Sequence, residues 1–192
     1  MPTVTLLGPQ RFSPTLGEAV ARAGIAGRLA SVTAGWQERE AEDLELHEHL
    51  GERTMNLMLY ARGEDAFARD PELASAYRER QERLRELQEI YRSRLGYAQT
   101  ALRELELRHG DPELLAPERE SALQGIRDLD DHHLARVTEV HAAFVRHYRP
   151  ATRPAIERHT RQMERQIEKV EGLAIAGGHV AILMNRLRLF DL

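Results

Sequence analysis

Two long amphipathic runs in the middle of the chain constrain its fold more than any other feature. After Asp70-Pro71-Glu72, an N-cap followed by a first-turn proline and an acid, Tyr77, Leu84, Tyr91, Ala98 and Leu105 recur every seven residues, with Leu87, Leu95, Ala101 and Leu102 beside them. That spacing lays one apolar stripe along a helix and leaves Arg and Glu to fill the other faces. His109-Gly110-Asp111-Pro112 breaks the run. Beyond Pro117, Leu123, Ile126, Leu129, Val137, Val140 and Phe144 resume at spacings near three and four, as far as Tyr148-Arg149-Pro150. Two stripes joined by a short break predict an antiparallel helical hairpin or short coiled coil.

The ends of the chain carry a different pattern. Thr3-Val4-Thr5-Leu6-Leu7, closed by Gly8-Pro9, reads as a short buried strand. Ser13-Pro14 opens a helix whose apolar positions Leu16, Val20 and Ala23 stop at Gly24. Residues 28 to 33, Arg-Leu-Ala-Ser-Val-Thr, are β-prone again and run into Ala34-Gly35, so the opening reads strand, helix, strand, with a right-handed crossover. From Trp36 to about Val170 only helix signals continue, with Gly51 as a break and a last stripe at Ile156, His159, Met163, Ile167 and Val170. Leu173-Ala-Ile-Ala176 then reads as a third strand between Gly172 and Gly177-Gly178. Val180 to Leu189 follows as a helix on the sheet, with Arg186 and Arg188 facing outward.

The expected fold is therefore α/β: a small parallel three-stranded sheet from residues 1–36 and 171–192, with a dominant helical insertion over 37–170. Composition narrows the function. The 192 residues carry 27 basic and 31 acidic side chains, a net charge of -4, too even for a general nucleic-acid binder. Without cysteine there is no disulfide, thiolate metal site or cysteine nucleophile. No signal peptide or apolar run of membrane length is visible, so neither a membrane nor a nucleic-acid partner is expected and the cytoplasm is the default compartment. Lys169 is the one lysine among the 27 basic residues, a bias read as GC-rich, bacterial codon usage.

Small residues after a parallel strand let a backbone approach a ligand, and N–H groups at the start of the next helix can hold an anion or a developing oxyanion. Gly177 and Gly178 fit that role; a plain strand-to-helix turn is the other reading. Trp36, Gln37 and Glu38 follow a strand at the carboxyl edge, where open α/β sheets bind ligands. The alternative for them is a tryptophan covering the sheet and the start of a solvated helix. Taken with the βαβ start, Val32-Thr-Ala-Gly-Trp-Gln-Glu-Arg-Glu40 and Leu173-Ala-Ile-Ala-Gly-Gly-His-Val180 resemble the class I glutamine amidotransferase-like proteins related to the cyanophycinase and aspartyl dipeptidase family of serine peptidases. The resemblance covers residues 1–40 and 170–192. It implies a flavodoxin-like sheet, here incomplete, and a peptide or amide substrate. It also implies that the turn at Gly177 and Gly178 lends N–H groups to an oxyanion hole. His179, which joins the pocket set, stands where the family usually has Asn. The family's nucleophilic Ser elbow, with its His and acidic partner, has no counterpart, so no catalytic residue is assigned. The chain is expected to be inactive as it stands, the N-terminal portion of a longer hydrolase or a degenerate relative of one.

No cofactor is expected. The His and carboxylate groupings were weighed as metal ligands: His47 with His49, Asp130 with His132 and His133, Glu106 with His109, and His141 with His147. A four-helix di-metal site needs two Glu-x-x-His pairs, and only one is present, so no metal is assigned and His133 beside Asp130 is read as a hydrogen-bonded or partly solvated pair. The rival function is a non-enzymatic interaction module in which the heptad hairpin makes a homo-oligomer and the α/β part is a degenerate base.

Overall fold

The structure, a computed structural model, describes residues 3–10 and 12–192. It divides into two compact units: residues 1–70 with 150–192, and residues 71–149. The helical unit is thus narrower than 37–170.

In the first unit three strands form one parallel sheet: β1 (Leu29–Val32), β2 (Thr54–Asn56) and β3 (Gly172–Ile175), in the order β2-β1-β3. The central strand is buried along its whole length, as expected of a parallel strand covered on both faces. α1 (Leu16–Arg22) and α2 (Leu44–His49) lie on one face. Val20, Leu29 and Leu50 form the core there, with Leu16, Ile25, Leu46 and Ala174 packed around them. On the other side α3 (Leu59–Arg69), α6 (Pro154–Ile167) and α7 (Val180–Phe190) pack on one another and bury Leu59, Ala66, Ile156, Met163, Leu183 and Phe190. At the amino ends of the strands Arg53 Nη1 donates to the carbonyls of Ile25, Ala26 and Gly27, while Glu171 Oε2 accepts from the amides of Ala26 and Gly27. These two side chains fasten the loop entering β1 to the residues entering β2 and β3.

The sheet has the expected three parallel strands, but one member differs. Thr3–Leu7 is not a strand in this structure; both edges of β1 are taken by β2 and β3, which leaves it no place there. The third strand is β2, inside the stretch expected to be helical. It is three half-buried residues long, too short to show a period of two against the neighbouring Leu57, Met58 and Leu59.

The second unit is the hairpin of α4 (Pro71–Leu107) and α5 (Pro112–Tyr148), each 37 residues. Asp111 caps α5, its side chain accepting from Glu113 N. The seven-residue stripe of α4 is buried or half-buried throughout and faces the inward positions of α5, including Leu129 and Phe144. Arg80 lies between the rings of Tyr77 and Phe144, 4.2 and 4.3 Å from their centroids. Among the described residues no helix is long and apolar enough to cross a membrane.

Candidate functional site

The carboxyl ends of β1 and β3 bring Gly35 and Trp36 against Gly177, Gly178 and His179. The ladder continues past β3 through Ala176 N to Val32 O at 2.9 Å, and His179 N then donates to Gly35 O at 2.8 Å. Between these two bonds the backbones touch. A Cβ built on Gly178, whose φ is +129°, would fall 2.6 Å from Gly35 O and 3.1 Å from Trp36 Cδ1. A Cβ on Gly35 would fall 2.9 Å from Gly177 O. Gly35 and Gly178 are therefore required by a backbone crossing, which is a packing role. Gly177 is different: nothing stands within 4 Å of its missing side chain. The amides of Gly177 and Gly178 meet no acceptor among the described residues, and both residues are exposed.

His179 is the N-cap of α7, its Nδ1 accepting from Ile182 N at 3.3 Å. Its ring closes the helix end behind the glycine turn. On the β1 side Gln37 has φ 60° and ψ −125°, a conformation that non-glycine residues rarely adopt. This kink turns Glu38 toward α3, where Glu38 Oε1 accepts from Tyr60 Oη at 2.8 Å. The Glu38 carboxyl lies below the usual range because its own backbone amide, and then Tyr60, hydrogen-bond it. Tyr60 is pushed up to about 12, first by that same bond. The pair at neutral pH is a carboxylate and a phenol, so Tyr60 offers no phenolate base.

Beneath this rim lies a polar cluster that the sequence did not reveal. Glu40 is 2% exposed; its Oε1 accepts from Tyr60 N and its Oε2 from Ala61 N, each at 2.9 Å. It stands in for the missing cap of α3, whose N-cap residue Met58 is left-handed and makes no side-chain cap bond. Burial raises the Glu40 carboxyl, opposed by those amides and by Arg186. The Glu40 carbonyl accepts from Thr33 Oγ1 and Asn56 Nδ2, at 2.9 and 3.0 Å. Asn56 also reaches Asp43 and accepts from Met58 N. Arg186, expected outward, is buried: Gly63 leaves space for its Nε and Cδ, Glu64 pairs with it, and the rings of Tyr60 and Phe67 stand 5.3 and 5.0 Å away. Glu40 was hidden because Glu38 to Glu42 reads as a solvated charge run; its faint signal is an acid just after a strand and a tryptophan.

The histidines serve separate purposes. His47 Nδ1 lies 2.6 Å from Thr54 Oγ1, and His49 Nε2 accepts from Gly17 N. In the hairpin Tyr91 Oη donates to Asp130 at 2.8 Å and the His133 ring stacks on Tyr91 at 4.2 Å, so Tyr91 contacts both residues of the expected pair. His159, read only as an apolar-stripe position, is buried between Asp65 and Arg62. Among the described residues no three His, Asp or Glu side chains gather as a metal site. No protein-family model, curated protein or solved structure matches the chain.

Proposed function

We propose that this chain is the N-terminal portion of a class I glutamine amidotransferase-like, serine-peptidase-like hydrolase. In this reading it supplies the oxyanion side of the site, and the nucleophile comes from polypeptide outside residues 1–192. The observation that carries the reading is the pair of amides at Gly177 and Gly178. They are exposed, meet no protein acceptor among the described residues, and sit at the carboxyl edge of a parallel sheet. Two adjacent N–H donors held by a rigid backbone crossing suit a developing oxyanion, because little reorganisation is needed when the charge forms. Trp36 and His179 border the same turn, and in this reading a peptide or amide substrate would lie over them and reach toward Gln37 and Glu38.

A peptide phosphonate, which carries a tetrahedral anion, tests this reading by titration while the Gly177 and Gly178 amide resonances are followed. Saturable shifts confined to the turn and its rim support it; unchanged resonances at both glycines reject it. Residues 1–192 alone are expected to leave dipeptide and amide substrates intact, and unaided hydrolysis would overturn the missing-nucleophile part. The competing reading is a non-enzymatic interaction module; since α5 packs along the heptad stripe of α4, such a module would bind partners through the hairpin as a whole.

A further inference from the structure

Within the first unit the outer edge of β3 and one chain segment both lack a strand partner among the described residues. β3 pairs with β1 alone among the described strands. Ala176 N points to Val32 O, so by the two-residue alternation of a strand the amides of Leu173 and Ile175 point away from β1, into the open edge. Their side chains are 48% and 51% exposed. Beside them Ala30, Ile167, Val170 and Leu173 line a shallow groove of about 240 Å³. Thr3–Leu7 is β-prone yet lies off the sheet, with Val4 84% and Leu6 92% exposed.

Chain topology joins the two. α1 and α2 lie on the same face, and right-handed crossovers put β2 on one side of β1 and any parallel strand leading into α1 on the opposite side. That side is occupied by β3, so such a strand belongs beyond β3. Its end point is also fixed. Gln10 Oε1 accepts from Thr15 N and Leu16 N, at 2.7 and 3.0 Å, at the start of α1. α1 runs down to the loop that Arg53 and Glu171 fasten at the amino edge, so its start lies at the carboxyl edge, where a parallel strand must finish. Only Gly8 and Pro9 separate Leu7 from Gln10, a span of at most about 10 Å. Because α1 packs near Ala174 of β3, a strand about 4.8 Å further out is within reach.

We propose that Thr3–Leu7 docks on the free edge of β3 as a fourth parallel strand, with Val4 and Leu6 on the face of Leu173 and Ile175. The amides of Leu173 and Ile175 then gain acceptors and the shallow groove is covered. The inference does not rest on the hydrolase reading. By the same handedness a strand following α7 would seek this side too, so the occupant has to be identified directly.

Amide hydrogen exchange on the full chain does so, compared with a Val4→Asp/Leu6→Asp variant whose new charges are harmless if the segment stays in solvent. Docking predicts that alternate amides within residues 4–7, together with Leu173 and Ile175, exchange at least about tenfold more slowly than open chain, and that the variant loses this protection while α1 and β1 keep theirs. Open-chain rates at residues 4–7 would overturn the proposal. So would protection of Leu173 and Ile175 that survives in the variant or grows with protein concentration, since each assigns the edge to another occupant, a second copy in the latter case.

Discussion

Oδ2 of Asp65 lies 2.8 Å from Nε2 of His159, across the contact of α3 with α6. Arg62 Nη1 stands 3.3 Å from the other ring nitrogen. Arg158 Nη2 also stands 3.3 Å from Nε2, so a guanidinium faces each ring nitrogen and Nε2 alone also faces a carboxylate. Arg69 and Arg158 also reach Asp65, and the ring is held between charged groups on both sides.

The acid limb of stability should therefore depend on Asp65. Its carboxyl is drawn from the ordinary 3.8 down to about 2, chiefly by the Arg69 hydrogen bond and then by His159. A lowered folded-state value means the stabilisation is present above the unfolded value and is lost as pH falls through about 2. Asp65→Asn is expected to lower Tm at neutral pH and to flatten the fall of Tm between pH 4 and pH 2. Thermal melts across that window check this, and parallel curves for the two proteins would refute it.

The two glycines of the turn should respond in opposite ways. Gly178→Ala forces a Cβ to 2.7 Å from the Gly35 carbonyl carbon at a φ of +129°, where backbone strain alone costs about 1–3 kcal/mol. Gly177→Ala meets open space and should leave Tm within about a degree, since surface changes of this kind fall within about 0.5 kcal/mol. Calorimetry of the two variants separates a packing glycine from one whose exposed amide is free for a ligand; equal losses would contradict the crossing.

What the sequence disclosed follows the range of the signal. The hairpin was legible because Tyr77 to Leu105 repeats over five heptad positions, and β3 because Gly172 and Gly177-Gly178 bracket a single apolar run. Trp36 and the Gly177-Gly178 turn meet because turns after parallel strands share one sheet edge. β2 was lost because three residues carry no period. Glu40 and Arg186 were lost because burial of a charge is set by partners distant in sequence, here the α3 amides for one and Gly63 with Glu64 for the other. Hydropathy ranks both as surface residues.

Glu40 offers the clearest test of that hidden cluster. Removing its side chain leaves the amide of half-buried Tyr60 without its acceptor, a loss of about 1–3 kcal/mol, and gives that of exposed Ala61 over to water at a smaller cost. Glu40→Gln presents only one acceptor and should recover part of the loss. Because burial raises the Glu40 carboxyl above its ordinary 4.5, its titration favours the fold below that value, and the benefit fades as pH rises through the folded-state value. Urea unfolding at pH 4 and pH 7 is expected to show a larger deficit for Glu40→Ala at pH 4. The opposite order would mean that the amides and Arg186 outweigh burial.

The hairpin closes on itself, and this has a consequence for association. Leu129, 6% exposed, sits in the same seam as Tyr91, whose hydroxyl holds Asp130 and whose ring carries His133. Leu129→Ala removes packing inside the pair and should cost about 2–5 kcal/mol. Tyr91→Phe keeps the stacked ring, loses one hydrogen bond and should cost about 1 kcal/mol. If the stripe is used within one chain, both losses appear as a lower helical melting point that does not change with protein concentration. Melts followed by circular dichroism at dilute and hundredfold higher protein decide this. A midpoint that climbs with concentration, and a Leu129→Ala protein that sheds mass in sedimentation, would show that the seam also joins separate chains.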